Sequence, residues 1–371
     1  MPKRIGYLYD RFLSIPNCIE AEKKLGKNKP DNKMAQHISK NAEHYGKELH
    51  ALLVSGEWRP APSRKKEIKD TYKGKTRKLE IPILLDQGVQ QAWLNIAIPY
   101  IERRNYYYNC GSIPGAGQTR CTKALKKWLG KKKPPRYAFT TDIRHFYESC
   151  PHSLVMRGLR RIFKDERFLR VAELILSGMG KNGVGLSIGH LSSHWFANVA
   201  LMPLDHELCE KFPEEDFTRY MDDLCAVGNN KRHLRNMLHY VIERVRQMAM
   251  QVKANWQLYP IKKRPIQFLS YRFSHGYTRL VKPLMYRIAR KMKRAAKGLN
   301  AHLAASSLSY MGILKHCDSY HFKVAHVFPY IRIDKCKEVV SNESKNRIRP
   351  AAGAGEHPPW PNPLGYGACP A

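Results

Sequence analysis

Three carboxylates stand where they can do chemistry. Asp142 closes an apolar segment, Tyr137-Ala-Phe-Thr-Thr-Asp142, and Asp222 and Asp223 are adjacent within Phe217-Thr-Arg-Tyr-Met-Asp-Asp-Leu-Cys-Ala-Val227. The flanking Phe217, Tyr220, Leu224, Ala226 and Val227 predict a hairpin with the acid pair at its turn. Adjacent acids at a tight apolar turn repel one another unless a cation lies between them. A third acid, from a neighbouring strand end, completes an oxygen cage for two Mg²⁺ ions. Such a pair suits in-line displacement at phosphorus, activating a 3′-hydroxyl and stabilising a leaving pyrophosphate. Taken alone, the dipeptide reads first as a solvated Asp-Asp turn, because Asp is common in turns.

Those acids need a frame. Residues 1–55 read as helical, with Leu8, Phe12 and Ile15 at helical spacing, a Lys-rich turn at 23–33 and a second helix from Met34 to Val54. Trp58 to Lys69 reads as a basic, Pro-punctuated connector, and Tyr72 to Pro82 as a hairpin turning on Gly74. Helices are expected over Asp86–Glu102 and 122–129, separated by an aromatic, Gly-rich segment, Tyr106–Gly117. A strand ending at Asp142 precedes helices to about Leu176, a Gly-rich loop at 178–189 and a helix through Leu208. The Asp222 hairpin follows, then a long helix (231–250), two short strands near 256–281 and a very basic helix at 284–299. From Ala351 the chain is rich in Gly, Pro and Ala without periodicity, the composition of a disordered tail or fusion scar.

The 371 residues suit two or three compact units or one multi-lobed fold. Lys and Arg number 65 against 31 Asp and Glu, a formal charge of +34. So large a charge repels itself in a compact state unless a polyanion neutralises it. Nucleic acid is the first candidate and an anionic membrane surface the second. The N-terminus lacks the apolar core of a signal peptide. The most apolar stretch, Val184–Leu204, is broken by His190, Ser192, Ser193, His194 and Asn198, so no membrane span is expected. Nine scattered cysteines, never spaced C-x-x-C, argue against a disulfide framework or zinc knuckle and suit a reducing cytoplasm.

Taken in order, several segments resemble a reverse transcriptase. Tyr220-Met-Asp-Asp223 resembles that family's catalytic turn, and Phe139-Thr-Thr-Asp-Ile-Arg-His-Phe-Tyr147 its first metal-binding strand. Over roughly residues 70–300 the likeness continues. Arg77-Lys-Leu-Glu-Ile-Pro82 resembles the fingers strand, Gly111–Gly117 the loop that cradles template, and Phe268-Leu-Ser-Tyr-Arg272 the primer-grip hairpin, with Ser270 where Gly is more usual. The resemblance implies an α+β, right-hand polymerase fold with an antiparallel palm sheet and helical N-terminal and thumb regions. It divides the chain into an N-terminal helical extension (1–70), fingers (71–136), palm (137–275, with fingers insertions around 150–185), thumb (276–345) and disordered tail (346–371). It also implies an RNA-directed DNA polymerase using dNTPs and two Mg²⁺ ions, with Mn²⁺ as a possible substitute.

Carried over residue by residue, Asp142, Asp222 and Asp223 become metal ligands, with the Ile143 carbonyl as a fourth. Tyr147, five after the first Asp, matches the aromatic that excludes a ribose 2′-hydroxyl; otherwise it is a core tyrosine. Arg77 matches the triphosphate-binding arginine; otherwise it is a surface arginine. Lys253 aligns only loosely with a proton donor to pyrophosphate, and a solvated lysine is the favoured alternative. Arg287, Arg290, Lys291, Lys293, Arg294 and Lys297 fit a thumb helix tracking duplex phosphates, against a generic basic surface.

The segment Gly185-Leu-Ser-Ile-Gly-His-Leu-Ser-Ser-His-Trp195 resembles the form found in diversity-generating retroelements of bacteria or phages. These carry an aliphatic residue before Gly, and His194 stands here where their Gln would be. Gly189 permits backbone approach to the templating pair. Ile188 forfeits a polar contact of the kind that supplies roughly 1–3 kcal/mol of base discrimination. The resemblance thus implies errors opposite template adenine, tuned by Ile188 and His194. Otherwise, Ile188 is a buried isoleucine at a helix start. The implied partners are a structured template RNA, the RNA–DNA duplex and a small basic accessory protein forming a ring of helical subunits, in a bacterial cytoplasm and without a membrane. A retron, group II intron-like or phage-defence enzyme, or a non-catalytic RNA-binding scaffold, are the alternatives.

Overall fold

The computed structural model describes residues 3–27, 29–69 and 76–347. Helices Tyr9–Leu13 (α1), Ile15–Leu25 (α2), Lys33–Lys40 (α3) and Ala42–Ser55 (α4) form the N-terminal region. The single helix expected from Met34 to Val54 is broken at Asn41 (φ −107°, ψ 37°). The Asn41 side chain donates to the His37 carbonyl (3.0 Å), the local backbone bonding by which Asn competes with helix continuation. Ile15 does not join the core; it is 40% exposed, unlike Leu8 and Phe12.

Arg64–Lys69 (β1) and Thr76–Ile81 (β2) pair antiparallel, with Arg64 opposite Ile81. The expected connector at 58–69 therefore ends in a strand, which its Lys-rich composition concealed. The expected turn at Gly74 lies outside the described residues. Leu84–Arg104 (α5) and Gly117–Leu129 (α6) follow, then Tyr137–Thr141 (β3). Phe146–Ser149 (α7), His152–Ile162 (α8), Glu166–Ser177 (α9) and Leu191–Lys211 (α10) lead to the hairpin Asp216–Tyr220 (β4) and Asp223–Gly228 (β5). After Lys231–Gln247 (α11) come Gln257–Pro260 (β6), Ile266–Phe268 (β7), Tyr271–Ser274 (β8) and Tyr277–Leu280 (β9), four strands where two were expected. Strands this short show too little alternation to be counted from sequence. Lys282–Lys297 (α12), Ala301–Leu314 (α13), Tyr320–His326 (α14) and Ile333–Arg347 (α15) complete the fold.

A four-stranded sheet in the order β4-β5-β3-β6, antiparallel throughout, is central. Alternate residues of its inner strands enter two different cores. Phe139, Leu224 and Ala226 pack with α5 and α8–α11, while Ala138, Cys225 and Val227 pack with α6, the β7-β8-β9 sheet and α12. Burial on both faces explains why β3 and β5 carry nearly continuous apolar runs. On α12, Leu284, Ile288, Met292 and Ala295 form the buried stripe at helical spacing. The result is a mixed α+β fold with a helical N-terminal region and small antiparallel sheets. No helix among the described residues is long and apolar enough to cross a membrane.

Candidate active site

Strand register brings the acids together. Thr141, the last residue of β3, pairs with Leu224, and Tyr220 pairs with Asp223 across the β4–β5 hairpin. Asp142, one step beyond Thr141, therefore emerges beside the two-residue turn Met221-Asp222. Met221 takes φ 56°, a left-handed conformation that costs a non-glycine residue of order 1 kcal/mol.

The turn is held from below. Arg219 and Asp205, 1% and 0% exposed, form a bidentate pair, Nε to Oδ1 at 2.7 Å and Nη2 to Oδ2 at 2.5 Å. Arg219 Nη1 also donates to the Met221 carbonyl (2.7 Å). Asn198 donates to the Gly111 carbonyl (2.8 Å) and accepts from Asn109 Nδ2 (3.2 Å). Gly111 lies so close that a Cβ there would sit 2.4 Å from the Met221 backbone nitrogen. Sequence reasoning missed Arg219, Asp205 and Asn198, and it assigned Gly111 to a template loop rather than to this contact. The signal was present, in isolated polar residues within apolar segments, which rarely go inside without a partner.

Electrostatically the acids are in conflict. Burial first, then the charges of Asp223 and Asp142, pushes the Asp222 carboxyl up to about 7. Asp142 Oδ1 is buried without a hydrogen-bond donor, and Asp142 Oδ2 is paired with the Lys253 ammonium. Lys253 is thus not the solvated lysine favoured from sequence. Two backbone bonds, Lys253 N–H to the Asp142 carbonyl (2.9 Å) and Arg144 N–H to the Gln251 carbonyl (2.7 Å), fix the 251–253 segment beside Asp142 and flank Ile143. Among the described residues no three acidic, imidazole or thiol groups converge closely enough to hold a metal ion as the chain stands. The donor set nonetheless fits a hard cation. It is all oxygen, mutually repelling, with one oxygen bare and another already on an ammonium.

Tyr147, on α7, lies within electrostatic reach of both Asp222 and Arg77 on β2. Its phenol is pushed up by burial first and by the charge of Asp222, and drawn down by that of Arg77. The Tyr147 hydroxyl and His194 Nδ1 are 2.8 Å apart, and burial holds the His194 imidazole below its usual range, so the bond joins neutral groups. The loop before α10 docks on the same residues. Leu186 N–H bonds the Tyr147 carbonyl (2.6 Å), Ser193 Oγ the Ser187 carbonyl (2.7 Å) and Glu80 N–H the Ile188 carbonyl (2.8 Å). Gly189, at φ 123°, leaves no room for a side chain, since a Cβ would sit 2.4 Å from the Glu80 carbonyl oxygen. Ile188 is half-buried and faces a cavity shared with Lys65, Lys78 and Lys181. Beneath the loop, Gln90 Nε2 donates to His190 Nδ1 (3.0 Å), leaving Nε2–H to donate to Ser63 Oγ (2.9 Å).

The basic residues of α12 stand on a separate element. Arg290, Lys293, Arg294 and Lys297 are exposed and Arg287 half-buried, while Lys291 donates to Ser306 Oγ (3.0 Å) within its own helical region. At the expected primer grip the left-handed residue is Leu269 (φ 55°), not Ser270, so a glycine is not required where serine stands.

No family model matches the sequence. Protein YkfC of Escherichia coli K12 is 28% identical over 174 residues, covering 44% of this chain and 45% of YkfC, so the match spans about half of that relative. Among solved structures, apo telomerase from Candida tropicalis superposes with a TM-score of 0.50 at 12% identity, over 78% of this chain and 59% of that one. Telomerase from Candida albicans, with a fragment of telomeric RNA, gives 0.46 at 11% identity over 82% and 60%. At these identities the Candida tropicalis likeness speaks to architecture alone. The chain shares the overall architecture of that telomerase over the superposed span.

Proposed function

We propose that this chain is an RNA-directed DNA polymerase of the diversity-generating retroelement type. The observation that carries the reading is the arrival of Asp142 beside the Asp222-Asp223 turn, with one buried oxygen lacking a donor. The four-stranded sheet serves as palm, the β1–β2 hairpin as fingers and α12–α15 as thumb. The architectural likeness to telomerase supports the mixed α+β fold on which that division is laid. Asp142, Asp222, Asp223 and the Ile143 carbonyl would hold two Mg²⁺ ions, which supply charge neutralisation for phosphoryl transfer when bound. Arg77 offers its fork of donors to a triphosphate, and Tyr147 fills the space a ribose 2′-hydroxyl would need. Gly189 lets the loop pack against the Glu80 backbone of the β1–β2 hairpin, and Ile188 beside it would withhold a polar contact from the nascent base pair. Arg287, Arg290, Lys293, Arg294 and Lys297 bind duplex phosphates, with Lys291 bracing them.

The Ile188-Gly189-x-x-x-Ser193-His194 pattern supports the mutagenic subclass, with a structured template RNA and a ring-forming basic accessory protein as partners in a bacterial cytoplasm. Primer extension on a defined RNA template with Mg²⁺, followed by sequencing, tests the reading. DNA with errors concentrated opposite adenine is expected, and none from Asp222→Ala/Asp223→Ala. Uniformly accurate DNA would instead indicate a retron-like or intron-like enzyme. Failure with cognate RNA and accessory protein present would leave an RNA-binding scaffold.

A further inference from the structure

We propose that His194 is a positioning residue for sugar selection: through its bond to the Tyr147 hydroxyl it holds that ring across the space a ribose 2′-hydroxyl would enter. The inference rests on the polymerase reading and adds to it a residue whose side chain need not touch the nucleotide. The two groups are 2.8 Å apart, with ring centroids at 6.0 Å and planes at 85°. Tyr147 needs a holder. It sits on a helix of only four residues, entered through His145 in the left-handed region (φ 49°). Its ring packs against the large core and edge-on to the adjacent Phe146 at 5.7 Å, and the bond to His194 adds a hold on the hydroxyl end.

His194 is well placed to restrain it. It lies in the first turn of α10 between Ser193 and Trp195, both buried. Ser193 Oγ is bonded to the Ser187 carbonyl (2.7 Å), and Ser192 Oγ donates to Gln90 Oε1 (2.9 Å). A side chain mounted on so fixed a turn transmits its position to the group it bonds, which is how a supporting shell sharpens a site. The same turn anchors the Ile188 loop, so His194 and Ile188 hang from one support but act on different parts of a nucleotide, sugar and base.

The test is a competition between ribo- and deoxyribonucleoside triphosphates in primer extension, read as their incorporation ratio so that any general loss of activity cancels. A neutral side-chain hydrogen bond sets a population ratio of roughly 3- to 10-fold. His194→Leu is therefore expected to raise ribonucleotide incorporation relative to deoxyribonucleotide by that factor. Tyr147→Phe, which keeps the ring and loses the hydroxyl, should match it, and the double variant should add nothing further. His194→Gln, which retains a bonding group, should stay near the wild-type ratio. An unchanged ratio in His194→Leu, or additive effects in the double variant, with DNA synthesis intact, overturns the assignment alone. No DNA synthesis by the wild-type protein with cognate RNA and accessory protein present overturns the polymerase reading and this assignment with it.

Discussion

Replacing Gly111 by Ala puts one methyl group against the backbone of the acid-bearing turn. The added Cβ would lie 2.4 Å from Met221 N, 2.6 Å from Met221 Sδ and 2.9 Å from Met221 Cγ. The sulfur can swing away, but the nitrogen cannot, and it falls about 1 Å inside ordinary van der Waals separation. Nor can the Gly111 segment retreat without loss. Its carbonyl accepts from Asn198 (2.8 Å), and the preceding Cys110 N–H bonds the Arg219 carbonyl (2.9 Å). The turn therefore moves, carrying Asp222. Overpacking of this kind costs about 1–3 kcal/mol of stability, and a displacement near 1 Å of positioned groups costs on the order of 10²-fold in rate. Gly56→Ala is the control. Gly56, unlike Gly111, has a left-handed backbone (φ 70°) and nothing within 4 Å of the added Cβ, so it loses stability through strain alone, without a steric push on any neighbour. Single-turnover primer extension beside urea unfolding separates the effects. Wild-type kcat in Gly111→Ala, at whatever stability, would refute the claim that this contact places the turn.

Other expectations follow from the same geometry. Arg219→Met leaves Asp205 charged and buried, which should destabilise by roughly 3–5 kcal/mol in urea. Adding Asp205→Leu should restore most of that stability but not polymerase activity, because the Met221 carbonyl still lacks its donor. Glu22, fully buried with neither carboxylate oxygen hydrogen-bonded, is raised from 4.5 to about 8 by burial, with Lys29 opposing. A raised carboxyl contributes stability below its unfolded value and loses it as pH rises, here on the order of 4 kcal/mol between pH 4.5 and 8. Glu22→Gln should flatten that slope in unfolding free energies measured across the window, and an unchanged slope would place the linkage elsewhere. Ile188→Gln should lower errors opposite adenine in sequenced product without a matching fall at other bases; unchanged adenine errors would remove Ile188 from fidelity.

The acids themselves were legible because their chemistry is one-dimensional. An apolar strand ending in Asp142 and an acid pair at a hairpin turn need only the strand period to be placed, and the β3–β5 register sets Asp142 beside that turn. What the sequence concealed was carried by backbone geometry and by long-range partners. Lys253 is 111 residues from Asp142, and nothing in the composition around it says which acid it meets. Arg64–Lys69 forms a strand despite its lysines because β2 supplies the pairing, and edge strands tolerate charge. Gly111 declared itself as a glycine but not as the neighbour of Met221. Close approach and permissive dihedrals leave the same letter in a sequence.

The Arg219–Asp205 pair shows why such features collect beneath the turn. Two apolar residues of similar volume would stabilise the sheet as well or better, because desolvating an ion pair consumes much of its attraction. An apolar pair would not, however, give the Met221 carbonyl a donor, and Met221 is held in a conformation its side chain disfavours. Ser112 (φ 55°) and His145 (φ 49°) carry the same strain in segments that bear on the acids or on Tyr147. Strained dihedrals persist only where surrounding bonds over-determine them. Here those bonds run from α10 through Asp205 and Asn198 to the acid-bearing turn and its Gly111 neighbour, and from the same helix through Ser193 and His194 to the Ile188 loop and Tyr147. One helix therefore sets both the acid-bearing turn and the tyrosine that faces it. A change in the packing of α10 should move the acid-bearing turn and Tyr147 together, and with them the proposed metal binding and sugar selection, whereas a change confined to His194 should move only the proposed sugar selection.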